Sequence, residues 1–152
     1  MFKETSKELL DFLSKSPTAF HAVENYRQIL NADGFKELLE SEHWDIVPGG
    51  KYYVTRNNTS ILAFKVGTKL DNYSFNIVTS HTDSPTFKVK ENAEIEVKNK
   101  YTQLNTEGYG GMLCATWLDR PLSIAGRVLV SEGNSIVTKL LNIDRDLLMI
   151  PN

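Results

Sequence analysis

Apolar residues recur at helical spacing in the first part of this chain and at strand spacing in the rest. That change of period limits the fold more than any single motif does. Leu9, Leu10, Phe12 and Leu13 stand among charges over residues 4–15, the pattern of an amphipathic helix. Ser16-Pro17-Thr18 stops that helix and starts another, with Ser16 placed to cap and Pro17 suited to the first helical position. Ala22, Val23, Tyr26, Ile29 and Leu30 give the second helix one apolar face, and Gly34 ends it. A short helix is expected within residues 35–44. After the turn Pro48-Gly49-Gly50 the period falls to two. Strands are expected at residues 51–56 and 60–66 around an Asn57-Asn58 turn, and at 74–80. Helices followed by strands imply an α/β fold with a mixed sheet.

The character shifts again at Phe87. Phe87-Lys88-Val89-Lys90 and Ala93-Glu94-Ile95-Glu96-Val97-Lys98 alternate as half-exposed antiparallel sheet does. Residues 123–130 and 135–140 flank Glu132-Gly133-Asn134 as a hairpin. No helical pattern follows residue 90. A domain boundary is therefore expected at about residues 90–93, dividing 1–92 from a β-rich 93–152.

Composition narrows the function classes. The 152 residues are 41% hydrophobic and 24% charged, as in a globular protein. The net charge of -2 is spread without a basic block, which argues against nucleic acid as a partner. A single cysteine, Cys114, excludes an internal disulfide and fits a reducing compartment. No apolar run approaches the ~20 residues that span a bilayer. The acids near the N-terminus are unlike a signal peptide. The expectation is a cytoplasmic protein with no membrane partner. The apolar stretch Leu147-Leu148-Met149-Ile150, followed only by Pro151-Asn152, is expected to continue in a longer polypeptide.

One stretch combines strand and chemistry. Asn76-Ile77-Val78-Thr79-Ser80 runs into His81-Thr82-Asp83-Ser84-Pro85, and Pro85 bars a central strand from simply continuing. Residues two apart in extended chain share a face, so His81 and Asp83 face one way. A neutral imidazole is a good zinc ligand, and a neighbouring carboxylate fixes its tautomer. The same residues also suit a polar turn in which Asp83 caps the loop. A catalytic zinc needs three protein ligands, and neither His21 nor His43 has ligand spacing to His81.

Other candidates carry less chemistry. Gly108-Tyr109-Gly110-Gly111 lacks the helix a phosphate loop requires and reads as a strand corner. Asp119 and Arg120, beside Trp117, suit a buried pair that fixes register better than they suit catalytic groups. His21 reads as a packed or capping residue. Cys114 or Ser84, with His81 as base, would make a cysteine or serine hydrolase, though no G-x-S-x-G surrounds Ser84. A non-catalytic α/β assembly module is a further alternative.

Three stretches, taken in order, resemble the M18 family of metallo-aminopeptidases, the aspartyl aminopeptidase group. They are residues 16–22 (SPTAFHA), residues 80–90 (SHTDSPTFKVK), and Gly108-Tyr109-Gly110-Gly111 leading to residues 116–128 (TWLDRPLSIAGRV). The resemblance implies a zinc-peptidase α/β domain interrupted by a β-rich dimerisation domain, whose start matches the boundary near residue 92. It implies that His81 binds metal and that Asp83 orients it. It implies two Zn²⁺ ions per intact site, with Co²⁺ or Mn²⁺ as alternatives. It further implies peptide substrates cut one N-terminal residue at a time, acidic residues among them, and homodimers building a larger homo-oligomer. The remaining ligands and the general base lie beyond this chain in such proteins, so the chain alone is expected to be inactive.

Overall fold

Charged and apolar residues alternate at helical spacing over Phe2–Ser14, and this stretch forms α1 in the computed structural model, which describes residues 2–72 and 74–152. α2 spans Ala19–Ala32. Its N-cap is Thr18, not Ser16: the Thr18 oxygen accepts the His21 amide, which leaves an otherwise orphaned helical donor satisfied. Ser16 instead accepts from the Asn25 amide group at 3.0 Å. At the other end Gly34 adopts φ +79°, and the amides of Gly34 and Phe35 bond back to Asn31 and Leu30. These paired bonds close the helix on a left-handed residue. α1 leans on α2 through Phe12 and Tyr26, with ring centroids 4.7 Å apart.

The expected helix at 35–44 does not form. Lys36–Glu37 becomes a two-residue strand, β1, parallel to β2 (Lys51–Arg56). Pairing with β2, together with the Leu38 amide bonded to the Tyr53 carbonyl at 2.8 Å, claims this backbone for the sheet. β3 (Ser60–Lys65) returns antiparallel to β2. The turn between them uses positive φ at Asn57 and Asn58, conformations that asparagine tolerates. The strand order is β1-β2-β3.

Adjacent strand residues face opposite sides, yet Tyr52 and Tyr53 are both buried, so β2 is covered on both faces. Tyr52 packs on its cross-strand partner Phe64 at 5.6 Å and accepts the Val47 amide. Tyr53 donates its hydroxyl to Asn31 on α2 at 3.0 Å. Ala22 and Val23 complete the buried set. Arg27 of α2 reaches Glu37 of β1 at 2.9 Å, an ion pair that raises the guanidinium's already high pKa.

The expected strand at 74–80 is the main correction. None of these residues enters a sheet. An extended segment becomes a strand only by exchanging backbone hydrogen bonds with a neighbour, and here Ile77 and Val78 are exposed, Val78 at 98%.

Two further antiparallel hairpins follow. β4 (Thr86–Val97) pairs with β5 (Tyr101–Tyr109), with a register shift between Val89 and Glu94. β5 carries mostly polar residues and shows no apolar alternation in sequence. β6 (Leu122–Glu132) pairs with β7 (Ser135–Leu148) across Gly133, which has φ +62°. The one helical piece after residue 90 among the described residues is a 3₁₀ turn at Cys114–Trp117.

The chain divides into two compact units, Met1–Asp83 with Ile124–Asp144, and Ser84–Ser123 with Arg145–Asn152. In the first, Arg127 of β6 stacks over Phe20 of α2 at 4.5 Å. In the second, Trp117 meets Phe87 edge-on at 5.4 Å. Gly110, at φ +75°, makes the expected corner beside Pro85. Asp119 and Arg120 are exposed rather than buried. Asp119 takes the Asn152 amide at 3.0 Å, while Arg120 donates to the Thr116 carbonyl. The left-handed backbone at Asp119 accompanies this separation.

The α2 cap makes stability depend on pH. Burial lowers the His21 pKa below its ordinary value of about 6.5. The folded state then binds fewer protons than the unfolded state in weak acid, so stability rises with pH. It is fully present above about pH 6.5 and is lost as pH falls through the lowered value. Urea unfolding should show a larger loss from neutral to acidic pH in the native chain than in His21→Gln. Gly34→Ala, where nothing obstructs the new methyl, should cost about 1–2 kcal/mol through the positive φ alone.

Candidate metal centre

His81 and Asp83 do come together, although no strand carries them. The chain bends at Thr82. The His81 Nδ1 lies 2.7 Å from the Asp83 carbonyl oxygen and 3.3 Å from Asp83 Oδ1. Both partners accept only, so Nδ1 carries the hydrogen and donates. The lone pair of the neutral ring then sits on Nε2. The imidazole is 80% exposed, and its outer edge is open to solvent.

This arrangement fits a metal ligand. Zinc-bound histidines usually donate their second ring nitrogen to a carbonyl or carboxylate, which fixes the tautomer and raises ligand basicity. Here the shorter contact is to the Asp83 backbone carbonyl rather than to its carboxylate. The middle residue points elsewhere. Thr82 donates its hydroxyl to the Thr59 carbonyl at 2.7 Å, which ties the bend to the start of β3. Thr82 is partly buried, while His81 is exposed.

One histidine cannot by itself hold a catalytic metal. Among the described residues, no three His, Cys, Asp or Glu side chains gather in a way that could hold an ion. His43 is exposed near Asp45, and His21 serves the α2 cap with its Nδ1 2.8 Å from the Thr18 hydroxyl. Cys114 is exposed. Among the described residues, no helix is long and apolar enough to cross a membrane.

Sequence reasoning passed over Thr82 and its contact with Thr59. Its neighbours drew attention because they carry lone pairs and charge. Its partner lies 23 residues away, and nothing local announces that contact.

Comparison with known proteins adds an independent line. Residues 12–152 match the family model described as aminopeptidase I zinc metalloprotease (M18). A probable M18 family aminopeptidase 2 of Clostridium novyi is 49% identical over 150 residues, covering 97% of this chain and 35% of that protein. The aspartyl aminopeptidase of Dictyostelium discoideum is 45% identical, covering 97% of this chain and 31% of that protein. The chain thus spans about a third of the length of the curated relatives it matches. Among solved structures, one of an Ape4 and Nbr1 complex superposes with a TM-score of 0.94 at 42% identity, over 99% of this chain and 29% of that one. The S. cerevisiae mApe1 dodecamer superposes with a TM-score of 0.86 at 31% identity, over 99% and 36%.

The geometry predicts the minority tautomer at His81. In the neutral ring, long-range ¹⁵N–¹H spectra should show the hydrogen on Nδ1 of His81. A hydrogen on Nε2 would mean that the Asp83 contact does not hold the ring.

Proposed function

We propose a metal-dependent aminopeptidase, and the premise is plain: this chain belongs to the M18 aminopeptidase family. The intact protein would remove single N-terminal residues from peptides, acidic residues among them. The observation that carries the reading is the His81 imidazole, held at Nδ1 by Asp83 and open at Nε2. The zinc family match over residues 12–152 supports the choice of metal.

His81 would hold one ion through Nε2. Asp83 would fix the ring's rotation and tautomer through both its carbonyl and its carboxylate. We assign two Zn²⁺ ions to the intact site, for which Co²⁺ or Mn²⁺ could substitute. When bound, zinc supplies a Lewis acid that polarises the scissile carbonyl and makes water nucleophilic near neutral pH. The other ligands and the general base would lie in sequence outside these residues, a reading supported by the share of the relatives that the chain spans. The 152 residues alone would then bind metal weakly and hydrolyse nothing.

Residues 1–92 would form the first part of the catalytic domain, and 93–152 the start of a β-rich dimerisation domain. The passage from a helix-bearing region to successive hairpins supports a change of character there, whereas the compact units part between Asp83 and Ser84 and place Ile124–Asp144 in the first. Homodimers building a larger homo-oligomer are the proposed assembly, supported by the dodecamer formed by S. cerevisiae mApe1. We place the protein in the cytoplasm, with no nucleic acid or membrane partner.

In the intact protein, a chelator should abolish cleavage of peptides with acidic N-terminal residues, and added zinc should restore it. Asp83→Asn should lower activity or metal affinity nearer to ~10-fold than to ~100-fold, because the backbone contact to His81 survives. Activity that resists chelation, with covalent labelling of Cys114 or Ser84, would identify a cysteine or serine hydrolase instead. A non-catalytic assembly module would show neither activity nor metal.

A further inference from the structure

We infer that Thr82 is a positioning residue: by anchoring the bend to Thr59 it sets the direction in which His81 presents Nε2 to a metal. This inference rests on the reading of His81 as a ligand.

Two contacts hold the bend, and they differ in reach. The contact between His81 and Asp83 is internal to the bend and fixes the ring only relative to its own backbone. The 2.7 Å bond from Thr82 to Thr59 reaches out of the bend to a distant element.

That element is stiff. Thr59 follows Asn57 and Asn58, both at positive φ, and its amide bonds to the Arg56 carbonyl at 3.1 Å. β2 and β3 then pair continuously from Arg56↔Ser60 to Lys51↔Lys65. The acceptor for Thr82 is thus part of a closed hairpin, not of a loose loop.

The side chain suits the task. The bend draws Thr82 toward Thr59 while the His81 ring stays exposed. A β-branched residue has few χ1 rotamers, which restricts the hydroxyl's direction as well. Serine would keep the donor with more freedom. Valine would keep the shape and lose the donor.

The test uses the intact protein, with zinc affinity from chelator competition alongside kcat and KM. Thr82→Val should weaken zinc binding by ~10-fold, at the lower end of the effect of disturbing a ligand's support. It should lower kcat while leaving KM for peptide near the native value. Thr82→Ser should recover most of the affinity. Hydrogen exchange of the metal-free protein should speed up at amides 81–83 in Thr82→Val and not in Thr82→Ser.

His81→Ala is the reference. Native zinc affinity in Thr82→Val, with affinity lost in His81→Ala, would overturn the positioning role and leave the ligand reading standing. Equal losses in Thr82→Ser and Thr82→Val would also overturn it, because the hydroxyl would not be the agent. Retained zinc affinity in His81→Ala would overturn the ligand reading, and the inference with it. Should Thr82→Val not fold, Thr82→Cys, of similar size with only a weak donor, is read against Thr82→Ser in the same way.

Discussion

Two neighbouring tyrosines on β2 carry the first compact unit. A strand can bury consecutive residues only if both of its faces are covered, and Tyr52 and Tyr53 are both buried. Tyr53 fixes α2 through Asn31, and Tyr52 fixes β3 through Phe64. From β3 the order passes to the Asn57-Asn58 turn, to the Thr59 carbonyl, and across to Thr82. His81 is thus joined to a hydrophobic centre through a short series of specific contacts. Aromatic burial supplies the free energy that holds the hairpin, and one hydrogen bond passes that order to the bend.

The charged pairs around this centre do a different job. Arg27 to Glu37 links α2 with β1, and Lys51 to Asp33 links β2 with the end of α2. Pairs near solvent add little net stability. Their value is in register: each joins two elements that could otherwise slide. The pair at the candidate metal centre is unlike these, because Asp83 meets His81 within one bend and acts on a tautomer.

Much of this was legible in the sequence, for physical reasons. α1 and α2 follow from apolar spacing alone, and Gly34 from the need for a positive φ after the helix. The β2–β3 hairpin follows from β-rich runs around two asparagines. The nearness of His81 and Asp83 follows from their spacing of two. Features that depend on distant partners were not legible. Residues 74–80 have every local property of a strand, but the hydrogen bonds of a strand belong to its neighbour. β5 was hidden because Thr102, Gln103, Asn105 and Thr106 give no apolar alternation, and its place is set by β4. Thr18 outcompeted Ser16 as a cap because helix geometry put its hydroxyl beside His21. Thr82 was missed because its partner is remote in sequence.

The central claim is that His81 meets a metal through Nε2 while Asp83 holds Nδ1. Anomalous diffraction at the zinc edge from crystals of the intact protein tests it most directly. The account predicts a zinc peak about 2.0–2.1 Å from His81 Nε2, the ordinary zinc–imidazole distance, with Nδ1 still on Asp83. A zinc peak elsewhere with His81 unliganded, or zinc on Nδ1, would contradict it.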